Sequence, residues 1–258
     1  MAVVVGTRRP PGRDDPPDAT TPGSSVTAST GADDTYKPWA GTIRGMDTDA
    51  FLADVREANE TALSRLGSSK SLYALTGGEM EASAVFDVAA DVSHTAATAL
   101  EAYAADSSSD AAADAFSALG ELEAERAVTV GERMDGEAVP DSHEVVGALE
   151  DFGDGSGASD VECLGAALGY VLVAKKFAEQ ATGFFTGEAD PQTASEFRSY
   201  GSDLESERES LLDALAVVAD GSEEEAAAAD ATSTVVQHAY DHYTERLEDM
   251  GVNPKPVC

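Results

Sequence analysis

The chain has 258 residues, long enough for one substantial core, and sets 16 Lys+Arg against 49 Asp+Glu for a formal charge of −33. Direct nucleic-acid binding is excluded by that balance, because it needs clustered Lys/Arg to displace counterions and no basic stripe exists. The two cysteines, Cys163 and Cys258, give no disulfide framework, CxxC pair or zinc spacing, and the apolar run LGAALGYVLVAKKFA is broken by Lys175 and Lys176 before it could span a membrane.

A charge of this size strains a compact state through self-repulsion at low salt. It fits a cytoplasm holding molar salt, where the Debye length falls to about 3 Å. The acidity therefore reads as the solvent adaptation of an extreme halophile, and the expected location is cytoplasmic. Residues 1–45 depart from the pattern: they hold six of the ten prolines, five basic and five acidic residues and no Glu, which leaves 11 basic and 44 acidic residues in 46–258. Two readings of 1–45 stand side by side. One is a disordered Pro-rich arm. The other is an untranslated upstream segment, with translation starting at Met46 and TYKP at 35–38 matching an AT-rich promoter read as codons.

From Met46 the signals are helical. MDTDAFLADVREANETALSRLG offers Asp47 or Thr48 as N-cap, a stripe of Phe51, Leu52, Val55, Leu63 and Leu66, and a stop at Gly67. SSKSLYALTGG reads as a short turn. Its GSSKS lacks the glycine spacing of a phosphate loop. Two helical hairpins follow, 79–105 with 109–134 across DSSSD, and 159–186 with 190–219 across TGEADPQT, where Pro191 suits the first helical position. Between them lies the Gly/Asp-rich crossover DGEAVPDSHEVVGALEDFGDGSGAS with one short helix. A last helix, 222–250, stops at Gly251. No segment alternates as a strand. The expected fold is all-α: a ferritin-like four-helix bundle, two hairpins joined by a long crossover, with an extra N-terminal and an extra C-terminal helix.

LEAER at 122–126 returns as LESER at 204–208, on the second helix of each hairpin. Di-iron bundles place Glu-x-x-His on two helices, facing inward; here the repeats supply Glu123-x-x-Arg126 and Glu205-x-x-Arg208. Stepping about 100° per residue puts Glu123 and Arg126 on the face of Phe116, Leu119, Leu122 and Val130. It puts Arg208 inward with Phe197, Tyr200, Leu204, Leu211 and Leu215, and leaves Glu205 at the edge. Arginine stays protonated and cannot ligate a metal, but it supplies the positive charge that inward carboxylates require. Lys175 and Glu179 share the Leu164/Leu168/Leu172 stripe. The expectation is a structural ion-pair core of Glu123, Arg126, Lys175, Glu179, Glu205 and Arg208, weighed against ordinary surface ion pairs.

The histidines carry less. Asp87, Asp91 and His94 share a solvated face. His238 and His242 have the i, i+4 spacing that can hold zinc or copper, without an evident third protein ligand, and His143 sits in the crossover. No Ser/His/Asp or Cys/His arrangement can be assembled.

LSRLGSSKSLYALTGGEMEA, GFFTGEADPQTASEFR and MGVNPKPVC resemble a group of haloarchaeal helical proteins placed near the rubrerythrins in the ferritin-like superfamily, some of them labelled transcription antitermination protein. The resemblance covers about residues 46–258. It implies a bundle related to peroxide-reducing di-iron proteins, in which Glu123 and Glu205 match bridging carboxylates. Glu81, taken to face the core near its helix start, would be a further ligand. Arg126 and Arg208 depart from the family's histidines, and the four cysteines of a rubredoxin-type iron site are absent from the sequence. The expectation is a metal-free, non-catalytic bundle with no cofactor, acting as a regulatory or interaction factor. Its partner would be a protein, RNA polymerase or a second copy of the chain, with neither nucleic acid nor membrane touched directly. The alternative is an iron-binding rubrerythrin-type enzyme with an altered site.

Overall fold

Asp47 starts the first helix as its position suggests, its side chain accepting from Ala50 N at 3.1 Å. The computed structural model describes residues 46–133, 140–153 and 156–254; the expectations for 1–45 and for Cys258 lie outside the described residues. The helix expected over 46–67 is two helices, α1 (Thr48–Ala58) and α2 (Glu60–Leu66), parted at Asn59. The break has a polar cause. Asn59 is buried, and its Nδ2 donates at 2.9 Å to both Val55 O and Ser233 Oγ, while its Oδ1 accepts from Gln237 Nε2 at 2.8 Å. The turn expected at 68–78 instead contains a helix, α3 (Ser69–Leu75), which buries Leu72 and ends at Gly77 and Gly78, both at positive φ.

The hairpins lie where the sequence places them. α4 (Ala82–Asp106) turns into α5 (Asp110–Gly131), whose N-cap Ser109 accepts from Ala112 N. α6 (Asp160–Gly187) opens on a Ser159/Glu162 capping box and turns into α7 (Pro191–Val218), capped by Asp190. Each hairpin packs along its own length, α5 packs against α7, and α4 touches α6 more lightly. α8 (Ser222–Asp249) covers another face of α6 over a contact comparable to that of α7. α6 is accordingly buried on nearly every side, from Val161 to Phe185. Its glycines permit the approach of α8: a Cβ on Gly165 would lie 2.3 Å from Ala228 O, and one on Gly169 2.7 Å from Thr232 O. Thr232 Oγ1 sits in that contact, 2.8 Å from both Gly165 O and Ala228 O.

The crossover contributes a 3₁₀ segment, Glu144–Phe152, that buries Val145, Val146, Ala148 and Leu149 against α8, α4 and α6. Tyr103 of α4 donates its hydroxyl to Leu149 O and fixes the segment. All described elements are helical, and no described helix is long and apolar enough to cross a membrane.

Candidate functional site

Among the described residues the one ionisable side chain of Asp, Glu, Lys or Arg type in the buried class is Glu123, whose relative exposure is 0%. It lies on the inward stripe of α5 with Phe116, Leu119 and Val130, as the helical periodicity requires. Around it all four hairpin helices contribute. Tyr200 of α7 donates its hydroxyl to Glu123 Oε1 at 2.8 Å, and Tyr170 of α6 lies 3.4 Å away, hydroxyl to hydroxyl. Ser93 of α4 is close enough to the carboxyl to lower its pKa. Arg126, one turn along α5, lays its guanidinium over the Tyr200 ring, 3.4 Å from the centroid, and reaches the Phe197 ring at 4.8 Å.

Burial governs the electrostatics here. It raises the Glu123 pKa above the usual carboxylate range, against the opposing pull of Arg126, Ser93 and the two tyrosines. Burial also raises both tyrosines, and the neighbouring carboxyl adds to it. Glu123 Oε2, Ser93 Oγ and Arg126 Nη2 are buried without hydrogen-bond partners. Burial thus disfavours the charged form of the carboxyl and of both hydroxyls.

Glu205 belongs to a second cluster, nearer the surface. It forms ion pairs with Lys175 of α6 and with Arg208 one turn along α7. Arg208 is the most buried of the three, at 12% side-chain exposure. Burial lowers the Lys175 pKa, with Arg208 adding to the effect, and Arg56 of α1 is lowered by the same two causes. No hydrogen bond or ion pair joins this cluster to Glu123 among the described residues, so the single network expected from the sequence is two clusters.

Two expected members are displaced. Glu179 is exposed and pairs with Lys176 at 3.1 Å instead of facing inward, because its α6 position lies just beyond the stripe that α7 and α8 cover. Glu81 is exposed at the N-cap position of α4 and does not face the core, since the inward stripe starts at Val85. Tyr170 and Ser93 are the site residues that sequence reasoning missed. Tyr170 is a single hydroxyl in an apolar stretch and Ser93 one small polar residue among Asp91, His94 and Thr95, and their only signal was that a buried hydroxyl requires a partner.

The histidines also meet. The face of His238 and His242 is covered by the crossover: His238 Nε2 lies 2.7 Å from Glu144 O, and the His143 and His242 rings stand edge to face at 5.7 Å. His143 Nδ1 accepts from Val145 N at 3.1 Å, and burial depresses its pKa to about 4, with His242 and Arg246 contributing. Asp91, expected on a solvated face, accepts from Asp141 N at 2.9 Å, whereas His94 is exposed as expected.

The donor set does not fit a di-iron centre. The positions that such a bundle fills with histidine hold Arg126 and Arg208, and among the described residues no group of three His, Cys, Asp or Glu is arranged to hold a metal ion. Comparison of the chain with protein-family models, curated proteins and solved structures gives no match.

Proposed function

We propose that this chain is a metal-free, ferritin-like helical bundle that works as a cytoplasmic regulatory or protein-interaction factor. One observation carries the reading: cationic side chains stand against both repeated carboxylates, Arg126 beside Glu123, and Lys175 with Arg208 on Glu205. In a di-iron protein the metal pair neutralises such carboxylates; on this reading Lys175 and Arg208 do so for Glu205, while Glu123, with no ion pair among the described residues, has Arg126 one turn away and a pKa raised by burial. The two hairpins and long crossover support the ferritin-like assignment, as does the inward Glu at the second helix of the first hairpin.

The partner is a protein. With no basic stripe on a chain of charge −33, contact with RNA or DNA would be mediated by another protein, RNA polymerase on the antitermination reading. Affinity isolation of the full chain from its native host in concentrated KCl tests this, with bound proteins identified by mass spectrometry. A stoichiometric protein partner is the expected result, and a polymerase subunit supports the transcriptional form. Recovery of the chain alone contradicts the interaction reading. Peroxide turnover by the iron-supplemented chain contradicts the non-catalytic one.

A further inference from the structure

The outer face of the α4/α5 hairpin carries a groove of about 830 Å³ that no described element fills. Its floor is apolar and low: Ala97 and Ala104 from α4, and Gly120, Ala124 and Ala127 from α5, with Val128 standing 66% exposed at one wall. The corresponding small-residue face of α6, at Gly165 and Gly169, is covered by α8 with backbone in contact. This chain therefore already seats one helix on a glycine-bearing helical face, and among the described elements none covers the α4/α5 hairpin in that way. The α5 residues that line it run from Phe116 to Glu132, a helical rise of about 24 Å at about 1.5 Å per residue.

Charge decides what could lie there. Glu101, Glu121 and Glu132 line the groove. Among the described residues none is in an ion pair, so no cation of the described chain shields this face. α4 contains no Lys or Arg, and α5 contains only Arg126, which turns inward onto Tyr200. The next cation, Arg133, reaches Glu196 of α7. A second copy of the chain, docked through the same face, would set these carboxylates against themselves.

We propose that the α4/α5 groove is the docking site for a cationic amphipathic helix of another protein, its apolar stripe seated on Gly120, Ala124 and Val128 and its Lys or Arg residues meeting Glu101, Glu121 and Glu132. This rests on the interaction reading above and names the class of partner. Helix-in-groove recognition supplies the apolar anchoring, and contact ion pairs supply the choice of sign.

The test uses the full chain in concentrated KCl and two synthetic 18-residue helical peptides, alike in an Ala/Leu stripe and differing only in Lys or Glu on its flanks. Fluorescence anisotropy is expected to show saturable binding of the Lys peptide, tighter than that of the Glu peptide by a margin that shrinks as KCl is raised, because exposed ion pairs are screened by salt. Ala124→Arg and Val128→Arg, both at exposed positions and checked for folding by circular dichroism, should weaken the Lys peptide at least about tenfold. Glu101→Gln/Glu121→Gln/Glu132→Gln should weaken it about three- to tenfold. Absence of Lys-peptide binding, equal binding of the two peptides, or indifference to the arginine variants overturns the proposal. So does self-association in sedimentation that Ala124→Arg abolishes, which would make the groove a dimer face. Failure here alongside a partner recovered from the native host leaves the interaction reading standing and moves the contact elsewhere.

Discussion

A carboxyl with no exposure, one accepted hydrogen bond and one unpartnered oxygen has its pKa raised above that of an exposed glutamate, burial being the largest cause. The sign of its effect follows. Between the unfolded value, about 4.3, and its raised native value, the folded state holds the extra proton, so Glu123 makes stability fall as pH rises through that window. Glu123→Gln removes the titration and keeps an acceptor for Tyr200. Its stability relative to the parent should therefore climb with pH and then level, as read by denaturant midpoints at constant KCl. A difference flat with pH contradicts the burial argument. His143 works in the opposite direction: its native pKa is depressed to about 4 from 6.5, so its contribution is complete above 6.5 and is lost as pH falls towards 4. His143→Gln should flatten this acid limb, whose slope from one such group is at most about 1.4 kcal/mol per pH unit. An unchanged acid limb would show that the histidine is not held neutral by the crossover. The inward facing of Glu123 followed from its spacing to Phe116, Leu119 and Val130, all buried, although the Ala-rich remainder of α5 left surface ion pairs open as an alternative. Tyr170 was not legible: a helix apolar on every side has no unique inward face, and nothing in the sequence says which neighbour a hydroxyl on it meets.

Element boundaries follow local chemistry wherever the cap is local. Ser159 with Glu162, and Asp190 with Pro191, start α6 and α7 within a residue or two of where the sequence puts them. The break at Asn59 escaped because its cause is distant, in Ser233 and Gln237 of α8. The role of α8 was underread for the same reason. It was expected as an appendage, yet it packs on α6 as fully as α7 does, through a glycine contact that only the assembled pair defines. Gly165→Ala sets a Cβ 2.3 Å from Ala228 O, against backbone that cannot rotate away, and should cost about 1–3 kcal/mol or more by displacing α8. Gly187→Ala is the control, since its added Cβ meets nothing within 4 Å. Equal thermal midpoints for the two variants would contradict close α6/α8 packing.

At the scale of the molecule, repeated motifs on two hairpins have been put to two different uses. One is a buried carboxyl that accepts from Tyr200, with Tyr170 and Arg126 packed around that tyrosine; the other is a half-buried carboxylate held between lysine and arginine. The repeat of LEAER as LESER, with arginine three residues after each glutamate, is plain in the sequence. That the two halves do not join into one network is a property of the assembly, set by how far along the bundle each motif falls. The central claim is that these charges have taken the place of a metal pair. It is tested most directly by elemental analysis of the full chain, purified in concentrated KCl without chelators and measured for iron, zinc and manganese. The account predicts substoichiometric metal, unchanged in Glu123→Ala. About two irons per chain, lost in that variant, would contradict it.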